Sequence, residues 1–312
     1  MRYDETTNFH HYFFMPIELI ILLFLTGILG GFLAGLTGVG GNMIFIPVLD
    51  FVLQQMGLNT DKELLVKIII ANSLCITVCT GSLVSFRQYK MGNYFPKEIL
   101  LTAFLGIITS LSMSYLIKTG NWYSKETFNY VFICMLIPFI IKLLSDINKE
   151  NKQTLQLDLT NISTEKTTEN LQSNLPKNEI KDRSFLITGA FVGMITALSG
   201  LGGGILMIPM FTDILKIPIK KASAISSGVI PLLSFPICMM YLFFSDIHSK
   251  SVFQIGYVDI RLILPIVVGA VFSTQWGVKA AQKTSPKVIR IVFASLVMII
   301  FVKMAYEIIM NA

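Results

Sequence analysis

Apolar positions fill this chain in long blocks, and the polar positions between the blocks are few. A helix needs about 20 consecutive apolar residues to cross the hydrocarbon of a bilayer. Blocks near that length fall at 16–37, 64–86, 98–118, 127–145, 184–201, 221–244, 258–281 and 286–309. Two shorter blocks, 42–56 and 204–216, each follow the first long block of one half. The pattern predicts an all-α polytopic membrane protein, with about four long transmembrane helices in each half. The block at 16–37 exceeds a secretory h-region, and the residues before it hold one Arg against Asp4 and Glu5, so it reads as a retained span rather than a cleaved signal.

The pattern lapses between Asp146 and Arg183, where Asn, Thr, Lys and Glu dominate and aromatics are absent. Such a segment buries too little surface to fold alone and reads as a flexible polar linker. The chain then divides into an N-terminal tail (1–15), a first transmembrane repeat (16–145), the linker (146–183) and a second transmembrane repeat (184–312). Composition agrees: 53% of the 312 residues are hydrophobic and 14% charged, against about a quarter charged in soluble domains. The net charge of +6 (25 basic minus 19 acidic) is spread through loops, which gives no nucleic-acid footprint. Cys75, Cys79, Cys134 and Cys238 all lie inside apolar blocks with no His or carboxylate beside them, which suits small packing residues rather than a metal site.

The halves resemble each other. Shifting residues 31–47 by 162 aligns GFLAGLTGVGGNMIFIP with GMITALSGLGGGILMIP, identical at seven of 17 positions, and Thr37 meets Ser199. This is the mark of an internal duplication, common in transporters. With eight full spans, both termini, the linker and the 86–98 and 244–258 loops share one side. Counting the short blocks as crossings inverts one half relative to the other. Lys and Arg divide too evenly for the sequence to decide.

The glycines fall into two sets. Gly27, Gly31 and Gly35, and Gly189, Gly193 and Ala197, recur every four residues and form the smooth groove that lets helices approach closely in lipid. Gly38, Gly40 and Gly41, and Gly200, Gly202, Gly203 and Gly204, lie on every face of a helix and predict a break in the first segment of each half. A nucleotide loop would require a Lys-Ser or Lys-Thr after the last glycine, whereas Gly41 is followed by Asn42-Met43. New helices are expected to start at Asn42 and Gly204 and run to Pro47 and Pro209. Their N-termini offer free N–H groups and a positive dipole end, with Thr37, Ser199 and Asn42 as neighbouring side-chain donors. Two such ends meeting inside the protein would make a site for a small anion.

These duplicated motifs resemble the paired signature of the sulfite exporter TauE/SafE family of membrane permeases, over both halves and with a Gly near the start of a later long helix in each (Gly92, Gly256). Asn42 against Gly204 and the long linker depart from the pattern. The resemblance implies transport of sulfite, sulfonates or related small organic anions. It also implies that small polar residues of the next long helix, Asn72 and Ser73 in one half and Ser226 and Ser227 in the other, line the pathway, although interhelical hydrogen bonding explains them equally well. Gln275, deep in its block beside Trp276, is a further candidate contact. Asp50 and Asp213 are candidates for proton coupling.

The three histidines, His10, His11 and His248, fall outside the blocks, and no nucleophile set or zinc spacing appears, so neither an enzyme nor a resident metal or cofactor is expected. The reading is a permease for a small anion in the cell membrane. A sensor or accessory subunit that does not transport is the alternative. Direction, coupling ion and oligomeric state are not encoded legibly.

Overall fold

The computed structural model describes residues 15–56, 62–120, 182–244 and 253–285, with scattered positions between 123 and 134 and between 288 and 302. The tail, the blocks at 127–145 and 286–309 and most of the polar linker lie wholly or largely outside the described residues. The helices are α1 (Ile17–Thr37), α2 (Asn42–Gln55), α3 (Lys62–Lys90), α4 (Pro96–Thr119), α5 (Asp182–Ser199), α6 (Gly204–Pro209), α7 (Ile219–Phe243) and α8 (Ile260–Lys283). One wide π-helical turn, Met210–Ile214, extends α6. Between α7 and α8 the short strands β1 (Gln254–Ile255) and β2 (Val258–Asp259) pair antiparallel, Gln254 opposite Asp259. Helices α1, α3, α4, α7 and α8 are long and apolar enough to cross a membrane.

Local chemistry sets the boundaries. Pro96 opens α4, where its missing N–H is harmless, and the Asp259 carboxylate caps α8 by accepting from the Arg261 N–H at 3.0 Å. Helix α6 gives way to the wide turn just after Pro209. Helix α2 instead continues through Pro47 to Gln55, because the proline removes a single backbone bond while its fixed φ remains helical.

Close backbone contact organises the packing. A methyl group added at Gly27 would overlap Ile266 O, one at Gly31 would meet Ser273 Oγ and Ala270 Cα, and one at Gly35 would meet Thr274 O; Gly269 and Gly277 return the contact from α8. Matched numbers rise together, so α1 and α8 run parallel. Helices α4 and α5 repeat the arrangement, with Gly189 on Thr102 O, Gly193 on Gly106 O and Thr109 Oγ1 donating to Ala190 O at 2.8 Å. Helices α3 and α7 cross the centre in opposite directions: Cys75 neighbours Cys238, Gly81 faces Pro231, and Gln88 shares a cavity with Ser223.

The short helices double back. Phe45 of α2 packs on Gly30 of α1, and Phe211 beyond α6 lies 5.9 Å from Phe185 of α5 between ring centroids. Consequently α1, α3 and α8 run one way and α4, α5 and α7 the other. The first end of the molecule holds the start of α1 and the β1–β2 hairpin. The second holds the end of α3 and the starts of α4, α5 and α7, pinned by Lys97–Asp182 (3.0 Å) and Lys221–Glu98 (2.9 Å). The 86–98 loop and the β1–β2 hairpin therefore lie at opposite ends, unlike the arrangement that eight simple spans require.

Candidate functional site

Two glycine loops meet between the central helices α3 and α7. The first, Gly38–Gly41, ends α1 when Gly38 turns to φ +71°, followed by Gly40 at +91°. The second, Gly200–Gly203, ends α5 through Gly200 (+66°), Gly202 (+70°) and Gly203 (+72°). Any residue with a Cβ pays roughly 1–2 kcal/mol for each such conformation. The preceding hydroxyl residue does the same work in both loops. Thr37 Oγ1 donates to Leu33 O (2.8 Å) and accepts from Val39 N (3.3 Å); Ser199 Oγ donates to Ile195 O (2.8 Å) and accepts from Leu201 N (3.2 Å). These hydroxyls brace the loops rather than stand free.

The central helices hold the loops by their first carbonyls. Ser226 Oγ of α7 donates to Gly38 O at 2.5 Å, and Ser73 Oγ of α3 donates to Gly200 O at 3.1 Å. The loops also touch directly, since Asn42 Nδ2 donates to Gly200 O at 2.7 Å. Gly204 lies so close to Val39 O that a methyl group there would overlap it. This contact explains why one half carries Asn at the break and the other Gly: a side chain fits only at 42. A methyl at Gly202 would meet Thr77 Cγ2 at 2.9 Å and Ile230 Cγ2 at 3.0 Å. Thr77 and Ile230 lie near the midpoints of α3 and α7. At Gly40 an added methyl would find only Ile230 Cδ1, at 3.9 Å, and Gly40 is the part-exposed residue of the two loops.

The remaining sequence candidates divide. Ser227 is buried and bonds within its own helix, to Ala224 O at 2.9 Å. Asn72 is committed to the hairpin: Nδ2 donates to Tyr257 O (3.0 Å) and Ile68 O (2.8 Å), and Oδ1 accepts from Asp259 N (2.9 Å). Gln275 is half-buried on α8 and makes no hydrogen bond to either loop among the described residues. Replacing Asn72 with Ala is expected to lower stability by about 2 kcal/mol, since it leaves the Asp259 N–H unpaired. A lower melting temperature in detergent, with ligand affinity unchanged, is the expected result.

Sequence reasoning missed two residues. Ser223 Oγ lies against Gly38, and Ser234 Oγ lies near Gly202; both are buried without a hydrogen-bond partner, as is Asn42 Oδ1. The signal was present: Ser223, Ser227, Ile230 and Ser234 recur at helical spacing along one face of α7. Ser223 also opens onto a cavity of about 40 Å³ at the second end, shared with Thr37, Gln88, Asn93, Lys220 and Gln282. No Lys, Arg, His, Asp or Glu occurs in 36–46, 69–81, 198–208 or 223–236, the stretches that build the crossing.

Residues 23–304 match the family model described as sulfite exporter TauE/SafE. The chain belongs to that family. It is 27% identical over 278 residues to a probable membrane transporter protein of Methanocaldococcus jannaschii, covering 89% of this chain and 92% of the relative. It is 24% identical over 295 residues to a probable membrane transporter protein of Haemophilus influenzae (91% and 97% covered). With the probable membrane transporter protein YunE of Bacillus subtilis it shares 26% identity over 297 residues (92% and 97%). No solved structure matches the chain. Together with the apolar helices, these matches support a TauE/SafE-family integral membrane protein, a membrane transporter with a bilayer environment and a small-molecule substrate.

Proposed function

We propose that this protein carries a small anion, such as sulfite, an organosulfonate or a related organic acid, across the cell membrane through the crossing of the two glycine loops. One observation carries the reading: non-helical backbone lies beside the midpoints of two central helices, in stretches of chain that hold no charged residue. Irregular backbone at that depth is tolerated only against protein or a wet cavity. The N-terminus of the 14-residue α2 supplies free N–H groups and a positive dipole end there. In this reading Gly38, Gly40, Gly41, Gly200, Gly202, Gly203 and Gly204 present backbone to the substrate, Asn42 joins the loops, Ser73 and Ser226 hold them, and Thr37 and Ser199 brace them.

The same reading treats 16–145 and 184–312 as duplicated halves of opposite orientation. Three features support it: the matched loops, the equivalent serine bonds to Gly38 O and Gly200 O, and the opposed directions of α1 and α5 and of α3 and α7. Among the described residues, the second end carries Arg87, Lys90, Lys97, Arg183, Lys216, Lys220, Lys221, Lys279 and Lys283, and the first end Lys62, Lys67, Lys118 and Arg261. By the positive-inside rule the second end faces the cytoplasm.

The test is flux. Purified protein in liposomes is expected to move labelled sulfite or a short alkanesulfonate saturably, and binding without flux would replace the transporter with a sensor. Excising about residues 152–178 is expected to leave membrane insertion and flux largely intact, because that stretch lacks core-forming residues. Loss of inserted protein after the excision would count against two independent halves.

A further inference from the structure

We infer that the site takes the protonated, monoanionic form of an oxyanion, hydrogensulfite in preference to sulfite, and that Asn42 Oδ1 accepts the hydrogen bond from the ligand's O–H. The inference rests on the transport reading above and names the form of the substrate. Asn42 is 1% exposed and is the first residue of α2. Its amide orientation is fixed, because Gly200 O can only accept and therefore faces Nδ2, at 2.7 Å. The other atom of that planar group, Oδ1, is thereby held beside the loop contact, buried and without a partner.

A buried acceptor left unpaired costs most of its desolvation. Sulfite dianion and sulfonates bring only further acceptors to it; a ligand bearing O–H brings the missing donor. The hydroxyls of Ser223 and Ser234, also unpartnered, rotate to suit either kind of ligand atom, whereas the amide oxygen cannot.

Charge gives a second, independent reason. Among the described residues, the stretches that build the crossing hold no Lys or Arg, so attraction falls to backbone N–H groups and a helix end. The penalty for taking an ion out of water grows with the square of its charge, which a dianion would meet without a counter-charge. Tyr123 donates to Leu198 O, two residues before the second loop, and the other titratable groups are spread along the packed elements. Glu18 starts α1, Asp50 lies two turns along α2, and Asp213 follows α6. Lys67 and Arg87 lie toward the two ends of α3, and Lys220 and Lys221 start α7. The thiols of Cys75 and Cys79 lie on α3, with Cys238 on α7.

The experiment uses the full chain in liposomes with equal pH on both sides, labelled sulfite as the probe and unlabelled methanesulfonate as competitor. Methanesulfonate is a monoanion at every pH used and carries no O–H. Below neutrality hydrogensulfite predominates, and above it the dianion does. The expected result is that half-saturation is constant when expressed as hydrogensulfite. Methanesulfonate should compete about tenfold more weakly than hydrogensulfite, with an inhibition constant that does not change with pH. Asn42→Leu should narrow that tenfold gap.

Half-saturation that follows the dianion, or methanesulfonate competing as well as hydrogensulfite in the wild-type protein, overturns the inference and leaves anion transport standing. A methanesulfonate constant that shifts with pH assigns the proton to the protein and also overturns it. Absence of flux for both anions at every pH removes the transport reading and this inference together. The wild-type measurements decide the matter even if Asn42→Leu fails to fold.

Discussion

Replacing Gly31 with Leu is expected to remove most of the folded protein from the membrane. In lipid, apolar side chains gain nothing by leaving hydrocarbon for a helix interface, so association depends on close van der Waals fit. Helix α1 meets α8 through Gly27, Gly31 and Gly35, and even a methyl group at Gly31 would press on Ala270 Cα and Cβ. Overpacking costs typically 1–3 kcal/mol where side chains can shift. Here the obstacle includes backbone, no rotamer relieves it, and the cost should exceed about 3 kcal/mol, a large share of a total stability of about 5–15. Gly92→Ala is the control. An added methyl there meets nothing within 4 Å, so only the φ of +75° is penalised, by roughly 1–2 kcal/mol. Size-exclusion profiles and inserted yield in detergent should show Gly31→Leu lost and Gly92→Ala present. Similar profiles would mean that α1 and α8 do not depend on close approach.

The membrane class was legible because hydrophobicity over about 20 residues is a strong, additive signal, and every described long helix overlaps a block read from the pattern. The glycines at 38, 40, 200, 202 and 203 adopt the left-handed conformation, which glycine tolerates best. Direction was not legible. Whether a short block crosses or folds back depends on contacts such as Phe45 on Gly30 and Phe185 beside Phe211, which join residues 15 and 26 positions apart and leave no periodic trace.

The roles of the polar residues were half legible for a related reason. Asn72 and Ser73 are neighbours in the chain, but one turns to the hairpin 185 residues away and the other to Gly200, 127 away. Sequence identifies a polar residue in an apolar helix as partnered; it does not say with what.

Asn42→Asp is expected to stop anion movement while leaving a folded protein, and the two effects have separate causes. A carboxylate at the first position of α2 gains from the helix dipole, by about 0.3–1 kcal/mol. It loses the bond to Gly200 O, worth about 1 kcal/mol, and at 1% exposure the charge also meets a desolvation cost of a few kcal/mol, so the folded variant is expected to melt below the wild type. Against a bound anion the same charge is decisive. Two unit charges about 5 Å apart repel by about 3 kcal/mol at an effective dielectric near 20, which weakens binding more than a hundredfold. Asn42→Ser loses the same bond to Gly200 O without the charge and keeps a hydroxyl at the position, so it should retain measurable sulfite flux with a comparable melting temperature. Liposome flux and thermal melts on the two variants separate the cases. Equal flux from the Asp and Ser variants would place the anion's path away from the start of α2, and the glycine loops would then be structural.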